Sequence, residues 1–377
     1  MDFDVLAFIG RFQPFHKGHE SVIRTGLSRA KKVAVVIGSS EKPRSARNPF
    51  TTRERMAMIT SVFPDEVADG RIKFVPQVDH TYNIDRWIAG IQTGVSAIAH
   101  HPFTPDPVRI GLIGHSKDHS SFYLKSFPTW DSVEAPNYSE INATAVRKDL
   151  FETEDWAESW AEFVPEPVLD FMSNFEKSDA FDTLLEEHVH LEEYKKQFIR
   201  PSDATITKWL STLLGKAAPL DVFEDFQDFA DAFCPKHPPV FYTADSIVIQ
   251  SGHILLVKRG AMPGKGLWAL PGGFVNRYEN AFDAALRELR EETKIAVPEA
   301  VLRGSKTMFR LFEDPYRSER GRTLTNAYVF ELRPDKKLPK IKGSDDAAKA
   351  AWVPISNLTR EAMFEDHYDI IETMVNL

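Results

Sequence analysis

Three glutamates, Glu288, Glu291 and Glu292, stand at positions i, i+3 and i+4 of a stretch with helical spacing, so one helix face gathers three carboxylates. Such a face repels itself unless a cation sits there. Hard oxygen ligands of this kind suit Mg²⁺ or Mn²⁺, which can bridge a diphosphate and orient an attacking water. Arg287 can pair with the glutamates and hold their rotamers. The plainer alternative is a solvated face with Asp283–Arg287 and Arg287–Glu291 pairs, each worth roughly 0.2–0.5 kcal/mol. Upstream, Leu267-Trp268-Ala269-Leu270-Pro271-Gly272-Gly273 reads as a strand and glycine turn, and the Gly273 backbone carbonyl is placed to join a metal shell. Glu292, Glu313, Asp345 and Asp346 are all candidates for general base, and the sequence does not rank them.

A second centre of chemistry lies at the other end, in Gly10-Arg11-Phe12-Gln13-Pro14-Phe15-His16-Lys17-Gly18-His19. Two histidines three residues apart at a helix start can both face the preceding loop. Gly18 lets a phosphate approach backbone amides near the helix N-terminus. Attack of a phosphate oxygen on the α-phosphorus of a nucleoside triphosphate asks mainly for alignment and charge neutralisation. His16, His19, Arg11 and Arg47 are the residue types that supply them. Residues 24–55 carry nine Lys or Arg against Glu41 and Glu54, which fits an anion site but also a solvated basic helix face.

The elements that must position these groups differ between the two ends. Val5–Ile9 is a short apolar run that breaks at Gly10, and a helical pattern runs from about Gly18 to Ala30. Further apolar runs, Val33–Ile37 and Arg109–Ile113, end at Gly38 and Gly114. Strands alternating with helices imply a parallel sheet covered on both faces, with ligands beyond the strands' carboxyl ends. From about 151 to 235 the texture is acidic, aromatic and helical. After Pro235, Pro238 and Pro239 it becomes β-rich, with runs at Ser246–Gln250, His253–Val257 and Ala327–Leu332. At 377 residues the chain exceeds one ordinary core, and the reading is 1–178 as one domain, 179–235 as a helical connector and 236–377 as a second domain.

Composition narrows the class. Hydrophobic residues make up 42% and charged residues 27%, values of an ordinary folded chain. The net charge of −9 argues against non-specific nucleic-acid binding, and no apolar run is long enough for a bilayer. A lone cysteine, Cys234, and an N-terminus without signal-peptide character point to the cytoplasm. The acidic connector is a candidate interface for a homo-oligomer.

The glutamate cluster resembles the Nudix box: Gly273, Glu279, Arg287-Glu288-Leu289, Glu291-Glu292 and Ile295 fall at its spacing. Six fixed identities match by chance at about 10⁻⁷ per starting point, which removes the solvated-face alternative. One departure is Lys294, where the box carries a glycine that relieves a left-handed turn; a modest local rearrangement is expected there. The resemblance assigns the metal to Gly273, Glu288, Glu291 and Glu292, with Arg287 and Glu292 in the catalytic machinery. Met262-Pro263-Gly264-Lys265-Gly266 and Arg320-Gly321-Arg322-Thr323 resemble the ADP-ribose pyrophosphatase branch, which implies Arg259, Trp268 and Arg322 as ADP-ribose contacts.

Residues 1–175 resemble the archaeal-type nicotinamide mononucleotide (NMN) adenylyltransferases of the nucleotidyltransferase superfamily. Arg47-Asn48-Pro49-Phe50-Thr51 looks like that family's phosphate loop, and Gly114-His115-Ser116-Lys117-Asp118 like its second nucleotide loop. Asn142-Ala143-Thr144-Ala145-Val146-Arg147 looks like its phosphate motif, with Asn142 in place of the usual serine. The resemblance implies Gly10, Phe12, Gly18, Lys117, Asp118, Thr144 and Arg147 as ATP or phosphate contacts, and Asp79, Asn83 and Trp87 as NMN contacts. Taken alone, Thr144 and Arg147 read as a helix cap and a surface arginine, and Trp87 as a core tryptophan.

The expected fold class is α/β: a Rossmann-like nucleotidyltransferase domain with a parallel sheet, then an α/β/α Nudix domain with a mixed sheet. The expected partners are ATP, NMN and ADP-ribose, with Mg²⁺ or Mn²⁺. The alternatives for the second domain are another nucleoside diphosphate compound, such as NADH or a dinucleoside polyphosphate, or a non-catalytic ADP-ribose sensor that regulates the first domain.

Overall fold

The computed structural model describes residues 1–99, 108–114, 126–135, 141–196, 239–335, 337–342 and 347–375. The chain packs as two compact units, the first running from Met1 to His188 and the second from Val189 to Leu358, with short C-terminal segments divided between them.

The first unit is built on a five-stranded parallel sheet in the order β3-β2-β1-β4-β5. Its strands are β1 (Phe3–Gly10), β2 (Ala30–Ile37), β3 (Ile72–Pro76), β4 (Ile110–Gly114) and β5 (Asp131–Glu134). Alternation along β1 explains why it reads as one continuous apolar run. Leu6 and Phe8 enter one cluster with Val33 and Val35, while Val5, Ala7 and Ile9 enter another with Ala34 and Val36. Both faces are therefore covered, as parallel sheets require. Helices α1 (Lys17–Arg29), α2 (Thr52–Val62), α3 (Pro64–Ala68) and α4 (Ile84–Ala99) fill the crossovers. The helical stretch after β5 consists of α5 (Ala143–Glu152), α6 (Trp156–Trp160), α7 (Glu166–Phe175) and α8 (Asp179–Lys196). The order reverses direction at β1, which pairs with β2 on one side and β4 on the other. That switch point opens the crevice beyond Gly10, where ligands of such sheets bind.

Strands β3 and β5 escape the sequence reading because each is short, and β5 (Asp-Ser-Val-Glu) buries only Val133. The proposed connector is described only as far as α8; its remainder, 197–235, lies outside the described residues.

The second unit carries a seven-stranded mixed sheet. Its path is β10-β11-β6-β7-β12, with β8 on β7 and β9 on β6. The strands are β6 (Phe241–Gln250), β7 (His253–Arg259), β8 (Trp268–Ala269), β9 (Gly272–Phe274), β10 (Lys306–Phe312), β11 (Thr323–Glu331) and β12 (Ala347–Pro354). β6 runs parallel to β11 and antiparallel to β7 and β9. Helix α9 (Ala281–Thr293) lays Ala284, Ala285, Leu286 and Leu289 on the sheet cluster of Ala244, Val248 and Leu255. Small alanines bring the helix close enough for the Ser246 hydroxyl to donate to the Ala285 carbonyl at 3.1 Å. Among its described residues the unit also has two shorter helices, α10 (Glu299–Gly304) and α11 (His367–Val375).

Candidate active sites

At the end of β1 the loop 11–16 is held by groups behind it. Gly10 is required by packing: a Cβ there would lie 2.8 Å from Phe12 Cζ. Phe12 itself takes φ 54°, in the left-handed region, and buries its ring edge-on to His19. Its side chain is thus a support for the histidine, and any phosphate contact at this position falls to its backbone. His16 caps α1, and its backbone N–H donates to His19 Nδ1 at 3.3 Å. The two rings stack with centroids 3.6 Å apart, and Phe15 stacks on His19 from 5.7 Å. With Nδ1 used as an acceptor, Nε2 is the nitrogen of His19 that carries the proton. Gly18 lies in the first turn of α1.

Arg147 is buried and serves this loop from α5. Its guanidinium donates to the Gln13 carbonyl, to the Ala143 carbonyl at 3.1 Å and to Thr144 Oγ1 at 3.1 Å. Gln13 in turn exchanges two hydrogen bonds with the Phe50 backbone, at 2.8 and 3.0 Å, joining the loop to the 41–50 segment. Arg47 is half-buried in that segment, which Arg44 braces by a two-pronged pair with Glu54, both contacts at 2.7 Å. Asn142, the departure from serine, caps α5 by accepting from the Thr144 N–H at 2.9 Å.

Arg55 is a residue beside this site that sequence reading passed over. Only 1% exposed, it donates to the carbonyls of Arg11 (2.8 Å), Gly38 (2.6 Å) and Ser39 (3.2 Å), fastening the carboxyl ends of β1 and β2 to α2. Burial lowers its pKa to about 10, with Asp79 opposing the shift and Arg11 adding to it. Its only sequence signal is an arginine beside the capping-box Glu54. Asp79 receives the Ser39 N–H at 3.0 Å, the Ser39 hydroxyl at 2.9 Å and Lys42 at 3.1 Å. Burial pushes its carboxyl up, but the Lys42 charge and these donors outweigh it and hold the carboxyl below the usual range. Asn83 accepts from the Arg86 N–H at 3.0 Å. Trp87 is half-buried against the Val5–Ala7 face of the sheet and near Phe127, so both readings of it remain compatible with its position. Lys117 and Asp118 lie outside the described residues.

In the second unit Arg287 organises α9. It pairs with both oxygens of Glu279 at 2.9 Å, with Glu288 at 2.6 Å and with Glu291 at 3.2 Å, and donates to the Phe274 carbonyl at 3.1 Å. Asp283 instead joins Arg303. Lys294 occupies the turn after α9 at φ 45°, ψ 35°, with its N–H on the Arg290 carbonyl. The expected rearrangement is absent: the lysine adopts the left-handed conformation that glycine would take. Burial raises the carboxyl of Glu288, and raises that of Glu292 to about 8 despite a 3.0 Å hydrogen bond from the Gly272 N–H.

Glu292, Gly272 and Gly273 form one wall of a cavity of about 210 Å³, whose other residues include Asp245, Arg259, Arg320, Phe364 and Glu365. Arg259 lies 3.9 Å over the Phe364 ring. Arg322 donates to the Glu313 carbonyl and does not line this cavity; Arg320, two residues earlier, does. Trp268 also lies off the lining, with Lys258 over its ring. Glu313 is exposed, and Asp345 and Asp346 lie outside the described residues.

Residues 7–149 match the cytidylyltransferase-like family and residues 241–374 the NUDIX domain. A crystal structure from Francisella tularensis, a bifunctional NMN adenylyltransferase/ADP-ribose pyrophosphatase complexed with AMP and a manganese ion, is 31% identical. It superposes at a TM-score of 0.79, with 99% of each chain covered. The chain belongs to this bifunctional family. A nicotinamide/nicotinic acid mononucleotide adenylyltransferase from Acinetobacter baylyi is 36% identical over 49% of this chain and 94% of its own. An ADP-ribose pyrophosphatase from Methanocaldococcus jannaschii is 33% identical over 36% of this chain and 72% of its own.

The Francisella relative is complexed with a manganese ion, and the residues present here fit a divalent cation. Glu288 and Glu292 are desolvated carboxyls with raised pKa values, and a Cβ at Gly273 would lie 2.6 Å from the Glu288 carboxylate, so only glycine leaves room beside it. Among the described residues no three acidic or histidine side chains are gathered into a ready-made ion cluster. Helical spacing puts Glu288, Glu291 and Glu292 on one side, but Arg287 draws Glu288 and Glu291 toward itself while Glu292 turns to Gly272.

Proposed function

We propose that the first unit transfers the adenylyl group of ATP to NMN, giving NAD and pyrophosphate, and that the second hydrolyses ADP-ribose to AMP and ribose 5-phosphate. The observation that carries the reading is the likeness over 99% of the chain to a relative named for both activities, joined to two separate sites of the required chemistry. In the first unit the chain's work is alignment. His19 Nε2–H, fixed by Phe12, Phe15 and His16, offers a donor to a phosphate oxygen, while Arg55 and Arg147 hold the loop backbone from behind. Arg11 and Arg47 add positive charge that stabilises the transition state of adenylyl transfer more than the ground state. Asp79, Asn83 and Trp87 are proposed to receive NMN, with Lys117 and Asp118 on the nucleotide.

In the second unit Glu288, Glu291, Glu292 and the Gly273 carbonyl would hold the divalent ion, Mg²⁺ or Mn²⁺. When bound, it supplies neutralisation of the diphosphate and a more acidic water. Arg287 fixes the carboxylates, and Arg259 faces the anionic substrate across the cavity. Water adds across the P–O–P link, its oxygen and one proton going to one phosphate and the other proton to the other. The single cysteine of the sequence, Cys234, fits a reducing compartment, and we place both reactions in the cytoplasm.

The test is chromatographic product analysis of wild type and Glu292→Gln, each given ADP-ribose with Mg²⁺ and, separately, ATP with NMN. The expected result is AMP and NAD from wild type and NAD alone from the variant. ADP-ribose left intact by wild type overturns the hydrolase assignment, and a variant that also loses NAD synthesis overturns the independence of the two sites.

A further inference from the structure

Besides the glutamate wall, the cavity is lined by Phe364, Glu365 and His367, which belong to the segment 364–367. This segment is fixed on every side. The Phe364 N–H donates to the Trp268 carbonyl at 2.8 Å, and His367 Nδ1 accepts from the Leu270 N–H at 2.9 Å. Asp366 forms a buried two-pronged pair with Arg317, both contacts at 2.9 Å. Between these anchors Glu365 is held at φ 45°, a left-handed conformation that costs an L-residue about 1–2 kcal/mol. Its side chain is 9% exposed.

The two oxygens of Glu365 are treated differently. Oε1 accepts from Ser318 Oγ at 2.8 Å and from the Glu319 N–H at 3.1 Å. Oε2 accepts no hydrogen bond and is closed from water; the nearest cation, Arg320 Nη2, stands 3.9 Å away. A buried carboxylate oxygen without a donor is costly, and native folds rarely keep one without a use. Burial accordingly raises the carboxyl to about 7. Arg320 is the half-open cover of this oxygen, 20% exposed and bonded through Nε to Ser318 Oγ at 3.3 Å.

Glu365 lines the same cavity as Glu292 and Gly273, so a donor in that cavity reaches Oε2 when the half-buried Arg320 cover moves aside. A diphosphate set against Glu292 and Gly273 carries, through its phosphoester oxygens, riboses whose ring hydroxyls are donors several bonds beyond the phosphorus. We infer that Glu365 Oε2 accepts a hydroxyl of the ribosyl group adjoining the diphosphate, which makes Glu365 a specificity-determining residue for ribosyl diphosphates. With Oε1 already saturated, it takes one donor, not a diol in two-pronged fashion. This inference rests on the proposed pyrophosphatase reading and adds the residue that recognises the sugar.

The test is calorimetric titration of the full chain with ADP-ribose, AMP and ribose 5-phosphate, using Ca²⁺ to limit turnover, for wild type, Glu365→Gln and Glu365→Ala. Losing a hydrogen bond to a charged group predicts about tenfold to a hundredfold weaker ADP-ribose binding in the alanine variant. The glutamine variant, which keeps an acceptor oxygen, loses less. The weakening is shared by only one of AMP and ribose 5-phosphate, and that one identifies the ribose contacted. Unchanged ADP-ribose affinity in Glu365→Ala overturns the inference while leaving the pyrophosphatase reading intact. Equal weakening toward all three ligands, with a lowered melting temperature in both variants, assigns Glu365 a structural role and overturns it too. A wild type that neither binds nor hydrolyses ADP-ribose removes the pyrophosphatase reading, and this inference with it.

Discussion

Replacing Lys294 by glycine is expected to stabilise the second unit. Lys294 sits at φ 45°, ψ 35° immediately after α9, with an exposed side chain and its N–H on the Arg290 carbonyl at 3.0 Å. The left-handed conformation costs an L-residue about 1–2 kcal/mol, which glycine avoids. Glycine gives back about 0.5–1 kcal/mol through the greater freedom of its unfolded chain. The net gain is about 0.5–1 kcal/mol, or about 2–3 °C in melting temperature for a unit of this size. Lys294→Ala separates the backbone from the side chain, because alanine keeps the strained Cβ and should lie within about 0.5 kcal/mol of wild type. The assay is hydrogen exchange of α9 peptides, read by mass spectrometry over a urea series on the full chain. Glycine no more stable than alanine would refute the argument that this turn stores backbone strain. Because the turn closes two residues after Glu292, a stabilised variant that retains full hydrolase activity also shows that the strain is not part of the chemistry.

Two further outcomes follow from the same geometry. Arg55→Ala leaves buried carbonyls of Arg11, Gly38 and Ser39 without their donor, at a cost of about 2–5 kcal/mol to the first unit. It should abolish NAD synthesis while ADP-ribose hydrolysis persists, and an unchanged rate of NAD formation would count against the strand-fastening role. In the second unit, a Glu292 carboxyl raised to about 8 is mostly protonated at neutral pH without metal, so the ion must displace a proton. Mn²⁺ affinity, followed by electron paramagnetic resonance, should therefore rise about tenfold per pH unit up to about 8 and then level. The sign for stability is opposite: a folded-state pKa above the unfolded value means that metal-free protein loses this contribution as pH rises through the folded pKa. A flat Mn²⁺ affinity between pH 6 and 8 contradicts the assignment.

What the sequence determined by itself was chemistry that lives in local spacing. Glu288, Glu291 and Glu292 share a helix side because 3.6 residues make a turn, and the glycine and histidines around α1 follow a strand that ends where its apolar run ends. The presence of both sheets was legible, since β1, β2, β6 and β7 are long apolar runs whose strand character needs no partner to be seen, whereas the mixed order of the second sheet was implied only by the resemblance to the Nudix family. Strands β3, β5 and β10 were not legible, because their pattern is short or mostly exposed and pairing with a neighbour is what makes them strands. Only the tertiary structure decided which groups meet across the chain. It took Phe12 into the core as a wall for His19, brought Arg55 from α2 to three carbonyls just beyond the ends of two strands, and set Arg320, not Arg322, on the cavity. It also closed that cavity with Glu365, 73 residues beyond Glu292 in the chain. Hydrogen-bond partners and burial are set by distance in space, and one residue's position along the chain carries no record of either.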